Sequence, residues 1–216
     1  MKAIDLYCCA GGAAMGLYKA GYEVTGVDIV PQPNYPFEFR LGDALDADLT
    51  GFDFVWASPP CQKHTTLRHI TGKEYECFIA RTRAKLKAWG GPYIIENVVG
   101  APLQNPVTLC GSSFGLRVRR HRIFESNVPL TAPACNHAAQ PDPIDVSGTG
   151  SFQHSPRKKK TGGLGRKPKG LEEAREIMDM PWATRKEIAQ AIPSDYAEYL
   201  ARQILNLSIK SIQTTP

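Results

Sequence analysis

The stretch KAIDLYCCAGGAAMGLYKAGYEVTGVDI, residues 2–29, holds two apolar runs separated by a small-residue turn and a helix-compatible segment. KAIDLY reads as a short strand that stops where the small residues CCAGGAAMG begin. AAMGLYKAG suits a helix, and EVTGVDI a second strand. A helix between two strands returns the chain to the end of the sheet it left, so the two strands run parallel. The alternation continues downstream. FDFVWAS, with Phe52, Phe54 and Trp56 alternating, reads as a strand, EYECFIARTRAKLKAWGG as a helix stopped by glycines, and PYIIENV as another strand. This order predicts an α/β fold with a doubly wound, mostly parallel sheet covered by helices on both faces.

Composition sets the bounds around that core. At 216 residues, 42% hydrophobic and 22% charged, the chain suits one globular domain with a small appendage. It has no run of eighteen apolar residues, and MKAIDLYCCAGG lacks the features of a signal peptide, which predicts a soluble intracellular protein. The six cysteines include an adjacent pair, Cys8 and Cys9, and are otherwise scattered, so reduced thiols are expected rather than a disulfide framework. The net charge of +5 is local in origin. Arg157, Lys158, Lys159, Lys160, Arg166, Lys167 and Lys169 form a run without an acid, and the rest of the chain is slightly negative. Such a run is either a solvated loop or a contact with nucleic acid. Residues 127–170 are rich in Pro, Gly, Ser and His and read as irregular loops, at most a small hairpin module. Helical signals return at LEEAREIMDM, then at a capping box of Thr184 with Glu187, and last at SDYAEYLARQILNL, capped near Ser194.

Several residues suggest chemistry at one sheet edge. Gly11, Gly12 and Gly16 follow the first strand, where backbone amides can approach a ligand closely. Asp28 ends the second strand, a position from which a carboxylate commonly accepts ribose hydroxyls, and Asp43 follows the third. In WASPPCQKHTT, Pro59 and Pro60 stiffen the approach to Cys61, although a buried, inert cysteine is common. Glu96 and Asn97 end the strand IIENV, where a carboxylate needs a partner or a task. RVRRHRIF adds four arginines. Cys135 and His137, with His121 and His154, raise the question of zinc, but no Cys-x-x-Cys pair accompanies them and no metal is expected.

Taken in order, DLYCCAGGAAMG, GVDI, GDAL, SPPCQ, ENV, RRHR and QAIPSDYAEYL resemble the sequence blocks of DNA (cytosine-5)-methyltransferases, especially the compact phage and prophage type. The resemblance covers residues 3–125 and 171–205. It implies a Rossmann-like class I S-adenosylmethionine-dependent methyltransferase fold with a very small target-recognition region. The implied division is a catalytic and cofactor-binding domain over 1–126, a recognition region over 127–170 and C-terminal helices returning over 171–216. By the same resemblance Cys61 is the nucleophile that adds to C6 of a flipped cytosine, Glu96 contacts N3 and the exocyclic amine, and Arg120 and Arg122 hold the base carbonyl, the nucleophile loop or a phosphate. Tyr7, Cys9, Ala10, Gly11 and Gly12 would surround the methionine part of S-adenosylmethionine. Asp28 would bind its ribose, Ile29 would pack on adenine, and Asp43 and Ala44 would meet the adenine edge. Pro60 would wall the nucleophile, and Gln190 would lie near the methionine end. The loop from Lys63 to Gly72 would close on DNA, with Gln62, Lys63, Thr65 and Arg68 as contacts, while Arg157, Lys158, Lys159 and Lys160 would hold phosphates. The implied partner is double-stranded DNA, bound by a monomer in a bacterial or phage-infected cytoplasm, for protection from restriction or as an orphan modification. An RNA-methylating relative and a catalytically inactive DNA-binding decoy are the alternatives. The chain departs from the family pattern at Tyr7, where phenylalanine is common, at Val118, where glutamine is common, and at Ala189 and Gln190, which stand where larger members carry Gly-Asn.

Overall fold

The computed structural model describes residues 1–60, 76–140, 142–148 and 165–213, with side chains described as far as residue 207. Seven strands form one sheet: β1 (Lys2–Leu6), β2 (Glu23–Asp28), β3 (Glu38–Leu41), β4 (Phe54–Ala57), β5 (Tyr93–Asn97), β6 (Val107–Leu109) and β7 (Arg122–Ser126). Their spatial order is β3-β2-β1-β4-β5-β7-β6. The first five run parallel, and β7 enters antiparallel between β5 and β6. The described helices are α1 (Gly12–Lys19), α2 (Ile79–Trp89), α3 (Leu171–Met178), α4 (Arg185–Gln190) and α5 (Ser194–Gln213).

The sheet is covered on both faces, as parallel sheets require. Phe54 and Trp56 pack with Ala14 and Leu17 of α1 and with Ala197 and Leu200 of α5. Val55 and Ala57, pointing the other way, pack with Leu86 of α2. All four β4 residues are therefore buried, as the expected cover of helices on both faces requires. A third cluster joins Val118, Ile144 and Val146 to Met178, Ala183 and Ile188 beneath α3 and α4. Val118, the departure before the arginines, belongs to this core.

Capping chemistry sets the helix ends. Thr184 and Glu187 form the expected capping box at the start of α4. Gly90 ends α2 in the left-handed region at φ 85°. The helix is shorter than its pattern suggested, for α2 begins at Ile79 and residues 76–78 precede it without helix. The described part of 127–170 shows no hairpin. Instead, single parallel bridges join Val118 to Ile144 and Ile144 to Arg166, beside a short 3-10 turn, His137–Ala139.

Candidate active site

Strand register brings the candidate residues to one edge. Leu6 pairs with Val27 on one side and Ala57 on the other, and Ala57 pairs with Ile95. The residues that follow therefore emerge together: the turn Tyr7–Gly12, Asp28, Ser58 to Pro60, and Glu96 with Asn97. The main chain extends this alignment past the strand ends, since the Cys8 amide donates to the Val27 carbonyl at 3.1 Å and the Ser58 amide to the Leu6 carbonyl at 3.0 Å.

The turn after β1 is tightly held. Tyr7 (φ 61°), Cys9 (φ 45°) and Gly11 (φ 82°) all adopt left-handed backbone, which costs energy at the two non-glycine positions. Asp28 secures the turn: one carboxylate oxygen accepts the Cys9 amide and the other the Val30 amide, each at 3.0 Å. Trp182 donates its indole N–H to the Ala10 carbonyl at 2.8 Å. The Tyr7 hydroxyl lies 2.9 Å from Thr82 Oγ1 of α2, so it has a partner that phenylalanine would lack. Cys8 is buried, and burial followed by the charges of Asp5 and Asp28 pushes its thiol far above the ordinary range.

Glycine in this region serves packing as much as approach. A side chain added at Gly16 would put its Cβ 2.2 Å from the Ser194 carbonyl oxygen and 2.6 Å from the Glu198 nitrogen. Gly12 meets the Ile192 carbonyl oxygen at 2.8 Å in the same way. Gly16 thus serves the seating of α5 against α1, rather than the ligand approach suggested by its place in the turn.

Next along the edge, Ile29 is 69% exposed beside Asp28. Asp43 accepts the Leu45 amide at 2.8 Å, with Ala44 buried behind it. Lys85 and Trp89 of α2 anchor this loop by donating to the carbonyls of Leu45 and Leu49, each at 3.1 Å. Gln190 is exposed at the end of α4.

Glu96 is buried and forms an ion pair with Arg122 at 3.0 Å. Burial raises its carboxyl above the usual range, while Arg122, Arg120 and a hydrogen bond from Ser58 pull the other way. Arg120 also has a contact within the protein that the sequence did not signal. Its guanidinium donates to the backbone carbonyls of Ala189 at 2.8 Å and Gln190 at 3.3 Å, while its own carbonyl accepts the Tyr196 hydroxyl at 2.7 Å. It ties the arginine segment to α4 and α5. Asn97, noted in the sequence without a role, donates to the Pro59 carbonyl at 2.9 Å in a buried bond. The segment after β4 is thereby held at Pro59, two residues before Cys61 in the sequence.

Cys61, Gln62, Lys63, Thr65 and Arg68 lie outside the described residues, as do Arg157, Lys158, Lys159, Lys160 and His154. Of the remaining basic run, Arg166 pairs with Glu173 at 2.6 Å and Lys167 with Asp145 at 2.7 Å. These two cations are engaged within the protein, unlike a simple solvated run. The sequence reading gave no role to Asp5, Trp182 or Cys110. Trp182 carries no local signal, because its partner is remote in sequence.

No protein-family model matches the chain, and no curated protein matches it. Solved structures do. Over 97% of this chain and 99% of the other, it is similar to a protein described as a DNA modification methyltransferase encoded within an E. coli prophage, at 15% identity and TM-score 0.65. The Entamoeba histolytica methyltransferase EhMeth is similar at 13% identity and TM-score 0.61, over 96% and 98% of the two chains. The S. pombe Dnmt2 methyltransferase is similar at 12% identity and TM-score 0.57, over 96% and 99%. With the strand order and the inserted antiparallel β7, these likenesses show that the chain has the class I S-adenosylmethionine-dependent methyltransferase fold.

Proposed function

We propose that the chain methylates C5 of cytosine in double-stranded DNA, with S-adenosylmethionine as cofactor and Cys61 as nucleophile. The observation that carries this reading is the buried Glu96–Arg122 pair, set one strand away from the segment after β4, where Asn97 holds Pro59 two positions before Cys61 in the sequence. A carboxyl whose proton is held more firmly by burial suits a ring nitrogen that must gain a proton as the ring is attacked. In the proposed reaction the Cys61 thiolate forms a bond to C6, Glu96 supplies or shares a proton at N3, and the electron pair moves to C5. S-adenosylmethionine supplies the methyl group for C5. A base then takes the C5 proton, the Cys61–C6 bond breaks as N3 returns its proton to Glu96, and the C5–C6 double bond re-forms, which frees the thiolate.

The donor set fits such a cofactor. Each Asp28 oxygen has accepted one amide and keeps a further lone pair for a hydroxyl, and exposed Ile29 offers apolar surface to a base. Arg122 would orient Glu96, and Arg120 would hold the C-terminal helices to the site. Residues 127–170 would form the recognition region, which is small enough to suit a short target sequence.

Nucleoside mass spectrometry on DNA and RNA from cells expressing the protein tests the reading. The expected product is 5-methylcytosine in DNA, absent with Cys61→Ala. Product in RNA alone would reassign the polymer, and product from the Cys61→Ala protein would end the mechanism. Glu96→Gln keeps the shape but not the proton, and is expected to slow single-turnover methylation on the order of 10²-fold.

A further inference from the structure

Away from the sheet edge, four side chains from three separate segments converge. Cys110 follows β6, His121 immediately precedes β7, and Cys135 and His137 come from the loop beyond. Their ligand atoms all lie within 4.8 Å of one another. The Cys110 sulfur is 3.4 Å from Nε2 of His137, and the Cys135 sulfur is 3.4 Å from Nε2 of His121. The two rings stand nearly perpendicular, at 79°, with centroids 5.2 Å apart. None of the five described cysteines is in a disulfide.

We propose that Cys110, His121, Cys135 and His137 form a Cys2His2 site for a structural zinc ion. The geometry fits this ion in particular. With Zn–S near 2.3 Å and Zn–N near 2.05 Å, a tetrahedron has a sulfur-to-nitrogen edge of about 3.5 Å, and two such edges are already present at 3.4 Å. Two soft thiolates with two imidazoles select zinc over the hard cations that prefer oxygen. Charge supports the same assignment. Binding releases one proton from each thiol, and two thiolates then neutralise Zn²⁺ in a stretch of sequence where Arg119, Arg120 and Arg122 would oppose a bare cation. Four protein ligands close the shell, which marks a structural rather than a catalytic ion.

The site also has a task. Ala134, Cys135, Asn136 and Ala138 are exposed, so apolar burial contributes little to holding this loop in place. A metal would bind it to the end of β6 and to His121, which stands between the two arginines of the candidate active site. No Cys-x-x-Cys pair marks these four residues in the sequence, because the second thiol, Cys110, lies 25 residues before Cys135 and is brought beside His121 by the antiparallel pairing of β6 and β7.

Elemental analysis of protein purified without chelator tests the proposal independently of methylation. The expected content is about one zinc per chain, falling below about 0.1 in Cys135→Ser and unchanged in Cys77→Ser, whose thiol lies outside the cluster. Cobalt(II) added to the stripped wild-type protein should give the intense visible bands of a tetrahedral site together with sulfur-to-cobalt charge transfer. That measurement keeps the test decisive if the serine variant fails to fold. Wild-type protein that retains no zinc and shows no such bands would overturn the site, as would a Cys110–Cys135 disulfide found by mass spectrometry in freshly purified protein.

Discussion

Asp5 lies within β1, paired with Gly26 of β2 on one side and Trp56 of β4 on the other, and its carboxyl is buried. Among the described residues, neither carboxyl oxygen has a hydrogen-bond partner of normal geometry. Burial, and then the charge of Asp28, hold its proton far above the ordinary value of 3.8, with the Ala14 amide offsetting only part and Glu96 adding a smaller push. The consequence for stability has a definite sign. Below pH 3.8 both folded and unfolded chains carry this proton, whereas above it only the folded chain does, so unfolding releases a proton and stability falls as pH rises. Asp5→Asn removes that term. Whatever its constant cost, the variant should gain on the parent as pH rises above 3.8, at up to about 1.4 kcal/mol per pH unit for as long as the folded parent keeps the proton, read by urea unfolding at several pH values. Parallel pH profiles would mean that Asp5 is ionised in the fold. The residue stands inside the quoted motif DLYCCAGG, yet its burial was not legible there, because an acid at a strand centre looks the same in sequence as one at a strand end.

The helices α1 and α5 meet where Gly16 allows the Ser194 carbonyl to approach, and that contact makes a prediction at the scale of elements. Gly16→Ala gains helix propensity but forces Cβ to within 2.2 Å of backbone, so α5 must shift. A net loss of about 1–3 kcal/mol is expected by chemical denaturation, against a change within about 0.5 kcal/mol for Gly42→Ala, where an added Cβ would meet no described residue beyond its chain neighbours within 4 Å. Equal stabilities would mean that the helices repack freely. The strands β1, β2, β4 and β5 and the helices α3 to α5 were legible because each carries an apolar pattern or a local cap such as Thr184 with Glu187, whereas β3, the four residues EFRL, was implied only as the strand before Asp43. β6 and β7 were not. β6 spans only Val107–Leu109, too short for any period, and β7 opens with Arg122, whose charge is explained only by Glu96 across the β5–β7 pairing. Antiparallel partners remote in sequence leave no mark on either strand alone.

At the scale of the molecule, the sequence placed Asp28, Asp43, Glu96 and the β4 turn on one edge because strand ends follow from strand order. It could not place Arg120 on the carbonyls of Ala189 and Gln190, or gather Cys110 with His137, since those depend on how the C-terminal half folds back. The same limit applies to charge. A run of seven cations looks uniform in sequence, but Arg166 and Lys167 are paired with Glu173 and Asp145, while Arg157 to Lys160 have no acid within their stretch of sequence. If the chain binds DNA as proposed, the two groups should behave differently. Neutralising Arg157, Lys158, Lys159 and Lys160 should flatten the dependence of log K on log salt by roughly 0.9 per lost phosphate contact, so two to four contacts change the slope by about 2 to 4. Phosphate contacts carry no base information, so the methylated sequence context should persist. Replacing Arg166 and Lys167 by glutamine should leave the slope nearly unchanged and lower thermal stability instead, because it strands Glu173 and Asp145 beside the bridge from Ile144 to Arg166. Fluorescence anisotropy across a salt series, run beside thermal unfolding, separates the outcomes. An unchanged slope in the first variant would make residues 157–160 a solvated segment, and a changed sequence context would make them the reader of the target.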